Sequence, residues 1–140
     1  MKRNPQRMKY QPDKVSYWFC ILSIVINMVY FVSVYSDRGV VPDVAVGTDV
    51  LINIIFMMVV FLASEKLKGY TRNWNKYISL VGVLQMVRIF WLPMHYNALG
   101  MLEGTKYILT QAYLISSGIF LIIAGINSTI NLKILDTIKD

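Results

Sequence analysis

Tyr77-Ile78-Ser79-Leu80-Val81-Gly82-Val83-Leu84-Gln85-Met86-Val87-Arg88-Ile89-Phe90-Trp91-Leu92-Pro93 is an apolar run of helix length with one permanent charge inside it. No other acidic or basic side chain occurs between Lys76 and His95. At membrane depth a guanidinium costs at least ~2.5 to 3.5 kcal/mol, so Arg88 must be paired, reach water along its own length, or serve a function. The fold and the site therefore turn on the same residue.

Residues three, four and seven apart share a helical face. Gln85, Arg88, Leu92 and His95 lie along one stripe, with Trp91 beside it. At a rise of ~1.5 Å per residue, Arg88 stands about 16 Å from Tyr77 and about 9 Å from Met94. The charge is off-centre, towards the His95 end.

The composition names the solvent. Of 140 residues 56% are hydrophobic, and the mean hydropathy of +0.50 is too high for an ordinary water-soluble domain. The net charge of +6 is held by Lys and Arg next to apolar segments, without a nucleic-acid motif around them. Anionic lipid is the expected counter-charge, and nucleic acid is not an expected partner. The single cysteine, Cys20, excludes an intrachain disulfide and a multi-cysteine metal centre.

Outward from Arg88, three further apolar segments predict an all-α, integral membrane four-helix bundle made of two antiparallel hairpins. Residues 1–14 form a basic cytoplasmic arm with Lys2, Arg3, Arg7, Lys9 and Lys14 at a lipid surface, broken by Pro5 and Pro12. Residues 15–132 form the transmembrane domain, with spans at about 15–36, 48–64, 77–94 and 105–131, and 133–140 a short cytoplasmic tail. The first span carries no charge between Lys14 and Asp37, enough to cross ~30 Å of hydrocarbon, and nothing resembling a signal-peptide cleavage site follows it. Its polar residues Ser16, Cys20, Ser23, Asn27 and Tyr30 recur in steps of four and three, a stripe that faces a bundle interior. Tyr17, Trp18 and Tyr35 fit interfacial belts. On the fourth span Gln111, Gly118, Gly125 and Thr129 recur close to seven apart and predict close helix approach, while Ser23 and Asn27 are the packing polar groups of the first.

Orientation follows from the basic residues. The arm, the 65–76 loop and the tail hold eleven of the 14 Lys and Arg residues, which puts both termini in the cytoplasm of a cell membrane. Four crossings satisfy the parity.

Depth counting also finds partners for Arg88. From Ser64 back to Asn53 is again about 16 Å, and Asp49 lies one turn further along, within reach of a long Arg side chain. Arg88, Gln85, Asp49, Asn53 and His95 form the expected polar cluster, with Asp49 pairing Arg88 or capping the second span. Three functional classes compete. A non-catalytic structural, anchoring or regulatory subunit of a larger membrane complex, paired with other membrane subunits or with itself, fits the short loops and the lack of a catalytic set. A small oligomeric transporter or channel would use Arg88 as a clamp for carboxylate or phosphate. A membrane enzyme would rest on His95 and Glu103 in the outer connector, two groups where zinc ordinarily takes three or four ligands. No catalytic residue, cofactor or metal is expected.

Overall fold

The computed structural model of the chain describes residues 13–35, 44–91, 94, 98 and 104–139. Among these residues it is all-helical. Helix α1 is Lys14–Tyr35, α2 is Val44–Lys68, α3 is Trp74–Val87 and runs into a 3-10 turn at Arg88–Phe90, and α4 is Thr105–Lys139. The basic arm with Lys2, Arg3, Arg7 and Lys9, and the connector residues His95 and Glu103, lie outside the described residues; Lys14 opens α1 and is exposed.

The helix ends have local causes. α1 starts at Asp13, whose Oδ1 accepts the Ser16 backbone N–H at 3.1 Å while Oδ2 accepts the Ser16 hydroxyl at 2.8 Å. A carboxylate at this position satisfies donors that the helix itself leaves open. α2 stops in a paired reversal: the Tyr70 N–H bonds the Leu67 carbonyl and the Thr71 N–H bonds the Lys66 carbonyl, both at 3.1 Å. That pattern needs a left-handed residue after the helix. Tyr70 supplies it at φ 55°, whereas Gly69, the glycine of this turn, is not in the left-handed region. Asn73 at φ 72° then turns the chain into α3.

α3 differs from the expected uninterrupted span at about 77–94. Its α-helical part has 14 residues, after which three residues continue as 3-10 helix and the Trp91 N–H closes on the Arg88 carbonyl at 3.0 Å. The rise of the two parts together is about 27 Å. Among the described residues, α1, the Gly47–Lys68 part of α2 and the Thr105–Thr137 part of α4 are the three segments long and apolar enough to cross a membrane. α4 also runs through the segment expected to be a tail, to Lys139.

The helices neighbour one another in chain order, and α4 packs on α1; the α3–α4 and α1–α4 seams are the most extensive and α2–α3 the sparsest of the four. Small residues set the α3–α4 distance. A Cβ on Gly82 would stand 2.8 Å from the Gly118 carbonyl oxygen, one on Gly118 2.6 Å from the Gly82 carbonyl oxygen, and one on Gly125 2.9 Å from the Asn75 carbonyl oxygen. Glycine at these three sites lets the two backbones touch. Gln111 does not join Gly118 and Gly125 in this contact: half-buried, it donates to the Tyr107 hydroxyl on its own helix at 3.0 Å.

The polarity of the packing is inverted relative to a water-soluble domain. Ser16, Ser23, Asn27, Asn53, Gln85, Ser117 and Ser128 are buried to 1% exposure or less, while Val32, Leu51, Met58 and Ile108 are each more than 60% exposed. Apolar side chains do form two internal clusters, one around Val60, Leu67, Ile78 and Leu121 and a smaller one of Tyr30, Val34 and Leu114. The rest of the apolar surface faces outward, an arrangement that lipid stabilises and water does not. The chain is a membrane protein by the length and apolarity of its helices.

Candidate functional site

The 3-10 turn that ends α3 presents Arg88 to α2. Its Nη2 donates to Asp49 Oδ1 at 2.7 Å and to Asn53 Oδ1 at 2.8 Å, and Nη1 donates to Gln85 Oε1 one turn back at 2.8 Å. The ion pair is nearly dry, with Asp49 1% and Arg88 13% exposed. Asp49 and Asn53 reach the same guanidinium because they are one helical turn apart on α2.

The second oxygen of Asp49 is occupied as well. Oδ2 accepts the Tyr30 hydroxyl at 3.2 Å, the Asn53 amide at 3.3 Å and the Tyr35 hydroxyl in a short contact. The Tyr30 ring also lies under the guanidinium, 5.5 Å from its centroid to Cζ, a geometry in which the ring quadrupole attracts the cation. A buried charge pair is tolerated only when its remaining lone pairs and N–H groups are satisfied, and these neighbours do most of that.

Gln85 carries the network inward. Its Nε2 donates to Asn27 Oδ1 at 2.9 Å and approaches Ser117 Oγ at 3.4 Å. Ser117 Oγ and Ser23 Oγ are 2.7 Å apart, and each hydroxyl also lies within bonding distance of the other's carbonyl oxygen, at 3.0 and 3.2 Å. One hydrogen-bonded chain thus joins all four helices from Tyr35 to Ser23. Asn27 Nδ2 and Ser128 Oγ are buried with no partner among the described residues.

A second polar cluster lies at the opposite end of α1. The Asp13 carboxylate that caps α1 also accepts Asn131 Nδ2 at 2.8 Å and Asn127 Nδ2 at 3.4 Å, Asn127 Nδ2 donates to Ser16 Oγ at 2.8 Å, and the Asp13 N–H bonds the Lys68 carbonyl at 3.0 Å. Asp13 is 3% exposed, so this end of α1 is tied at once to α2 and to α4.

Of the residues expected in the polar cluster, Arg88, Gln85, Asp49 and Asn53 meet in one place, and Ser23 and Asn27 adjoin it. Tyr30 and Tyr35 belong to it too. Sequence reading assigned Tyr30 only to a stripe and Tyr35 to an interfacial belt; the signal that links them to Asp49 is depth, since both sit in the last turns of α1 and Asp49 in the early turns of α2. Asp13 falls in residues 1–14, the segment expected to be a basic arm. Its position three residues before Ser16, at the head of an apolar run, is a helix-start signature.

Compared with models of protein families, with curated proteins and with solved structures, the chain matches none.

Proposed function

We propose that the chain is a four-crossing membrane protein with both termini in the cytoplasm, acting as a non-catalytic subunit that stabilises, anchors or regulates a larger membrane complex. The observation that carries this reading is the closure of the Arg88 site. Asp49 and Asn53 together take Nη2 and Gln85 takes one N–H of Nη1, so the pair is neutral overall and a ligand carboxylate or phosphate that gripped Nη2 would have to displace a buried side chain held by three other donors. A site built to pass anions needs binding weak enough to release them. The Arg88 cluster works instead as a clasp between α1, α2 and α3.

The fourth crossing is α3 with its 3-10 extension. Its rise of about 27 Å approaches the ~30 Å of hydrocarbon, and Trp74 and Trp91 stand at its two ends, where indole rings suit the interface. The basic residues Lys66, Lys68, Arg72 and Lys76 cluster around the α2–α3 turn, and Arg72 pairs with Asp136 on α4, so that turn and the end of α4 share one side. Anionic lipid on the cytoplasmic face matches their charge.

The test is extraction of the native protein in mild detergent, together with flux measurements on the purified chain in liposomes. A stoichiometric membrane partner and no ion or solute flux are expected. Anion flux by the chain alone, lost in Arg88→Ala, would establish the transport reading instead.

A further inference from the structure

The α3–α4 seam closes on glycine, but the α2–α3 seam does not. Along it Ile52, Ile55, Phe56 and Val59 of α2 face Val81 and Leu84 of α3, and between them runs an open trough of about 480 Å³. That volume lies within the ~300 to 1,000 Å³ of sites that hold small molecules. The trough is apolar apart from Gln85 and Arg88, which also line it. An apolar bed with a few convergent polar groups is the form of a ligand site rather than of a plain helix contact.

The polar groups define the ligand. Gln85 is committed: its oxygen accepts Arg88 and its amide donates to Asn27 and Ser117. Arg88 has five N–H donors, and its hydrogen bonds among the described residues run from Nη1 and Nη2 to three acceptors, leaving Nε–H and one N–H of Nη1 without one. Its side chain keeps 13% exposure and is among the groups that line the trough. Asp49 cancels its charge. An anionic head would bring an unbalanced charge into a low-dielectric seam, whereas a neutral carbonyl oxygen would accept from an open N–H without that cost.

We infer that the α2–α3 trough binds a neutral ester lipid, with an acyl chain on the Ile52–Val59 and Val81–Leu84 walls and an ester carbonyl on the Arg88 guanidinium. This goes beyond the subunit role and holds whether or not the chain has a protein partner. It rests only on the helices being embedded in lipid.

Trp91 lines the same trough and reports on it. In a variant carrying Trp18→Phe and Trp74→Phe, Trp91 is the sole indole, and bromine on an acyl chain quenches it at contact. The protein is reconstituted in phosphatidylcholine vesicles, and acyl-brominated diacylglycerol is titrated in, with acyl-brominated phosphatidylcholine and phosphatidylglycerol as separate arms. Expected is quenching by diacylglycerol that saturates at a few mole per cent, with at least a threefold weaker response in Val59→Phe, which narrows the trough from an outward-facing position and leaves the Arg88 cluster untouched. Quenching that rises in proportion to the mole fraction and is equal for all three lipids would overturn the proposal, because the trough would then be ordinary lipid contact. Saturation by phosphatidylglycerol alone would overturn the neutral head.

Discussion

Arg88 on the 3-10 turn after α3 and Asp49 on α2 are 39 residues apart in sequence and 2.7 Å apart in space, and each is held by further groups that belong to the same cluster. Removing one partner leaves the other as a buried charge without compensation. Either Arg88→Met or Asp49→Asn alone should therefore destabilise the protein by about 3 to 5 kcal/mol, and the double substitution should cost clearly less than the two summed. Unfolding measured in detergent or bicelles for all four members of the cycle gives the coupling. Additive losses would mean that the two residues act independently.

Glycine at the α3–α4 seam makes a separate prediction. Gly118→Ala and Gly82→Ala each put a Cβ against a backbone carbonyl of the facing helix, at 2.6 and 2.8 Å, where no flexible side chain can yield. Each should cost about 1 to 3 kcal/mol. Gly47→Ala, where an added Cβ meets nothing within 4 Å, is the matched control and should be neutral or slightly stabilising. Thermal unfolding followed by circular dichroism distinguishes them.

At the other end, Asp13→Ala removes both the cap of α1 and the acceptor for Asn127 and Asn131. Loss of a cap costs about 1 kcal/mol, and the buried amides of Asn127 and Asn131 each lose an acceptor with it. Asp13→Asn, which keeps an acceptor oxygen for the Ser16 N–H, should recover part of the loss. Equal stability of wild type and Asp13→Ala would remove the carboxylate from the account.

Topology is open to direct labelling. With Cys20→Ala as background, Lys66→Cys and Lys133→Cys should both react with a membrane-impermeant thiol reagent in inverted vesicles and neither in intact cells. Opposite sidedness of the two positions would contradict an even number of crossings between them.

How far the chain could be read in advance depended on where the information is carried. Helices α1, α2 and α4 follow from apolar length, and the meeting of Arg88 with Asp49 and Asn53 follows from counting depth along two helices, because lipid penalises an unpaired charge strongly enough to select its partners. The shortening of α3 was not legible, since Arg88 to Trp91 has ordinary helix-forming residues and the change to 3-10 geometry accompanies a side chain turned towards α2. Tyr70 taking the left-handed position beside Gly69 was hidden for a related reason: the position is fixed by the pair of hydrogen bonds that closes α2 and not by the residue type alone. Gln111 fitted a seven-residue spacing with Gly118 and Gly125, yet spacing specifies a face and not its neighbour, and Tyr107 on the same helix took its amide.

The claim on which everything depends is that hydrocarbon surrounds the outward faces, and thiol accessibility measures it directly. In the same cysteine-free background, Met58→Cys and Ile108→Cys occupy positions 68% and 64% exposed, while Lys66→Cys lies beside the α2–α3 turn. In open vesicles, a small water-soluble maleimide should label Lys66→Cys within minutes and leave the other two at least tenfold slower until the membrane is dissolved and the chain denatured. Labelling of Met58→Cys and Ile108→Cys at the rate of Lys66→Cys would show that water reaches those faces, and the account would be wrong.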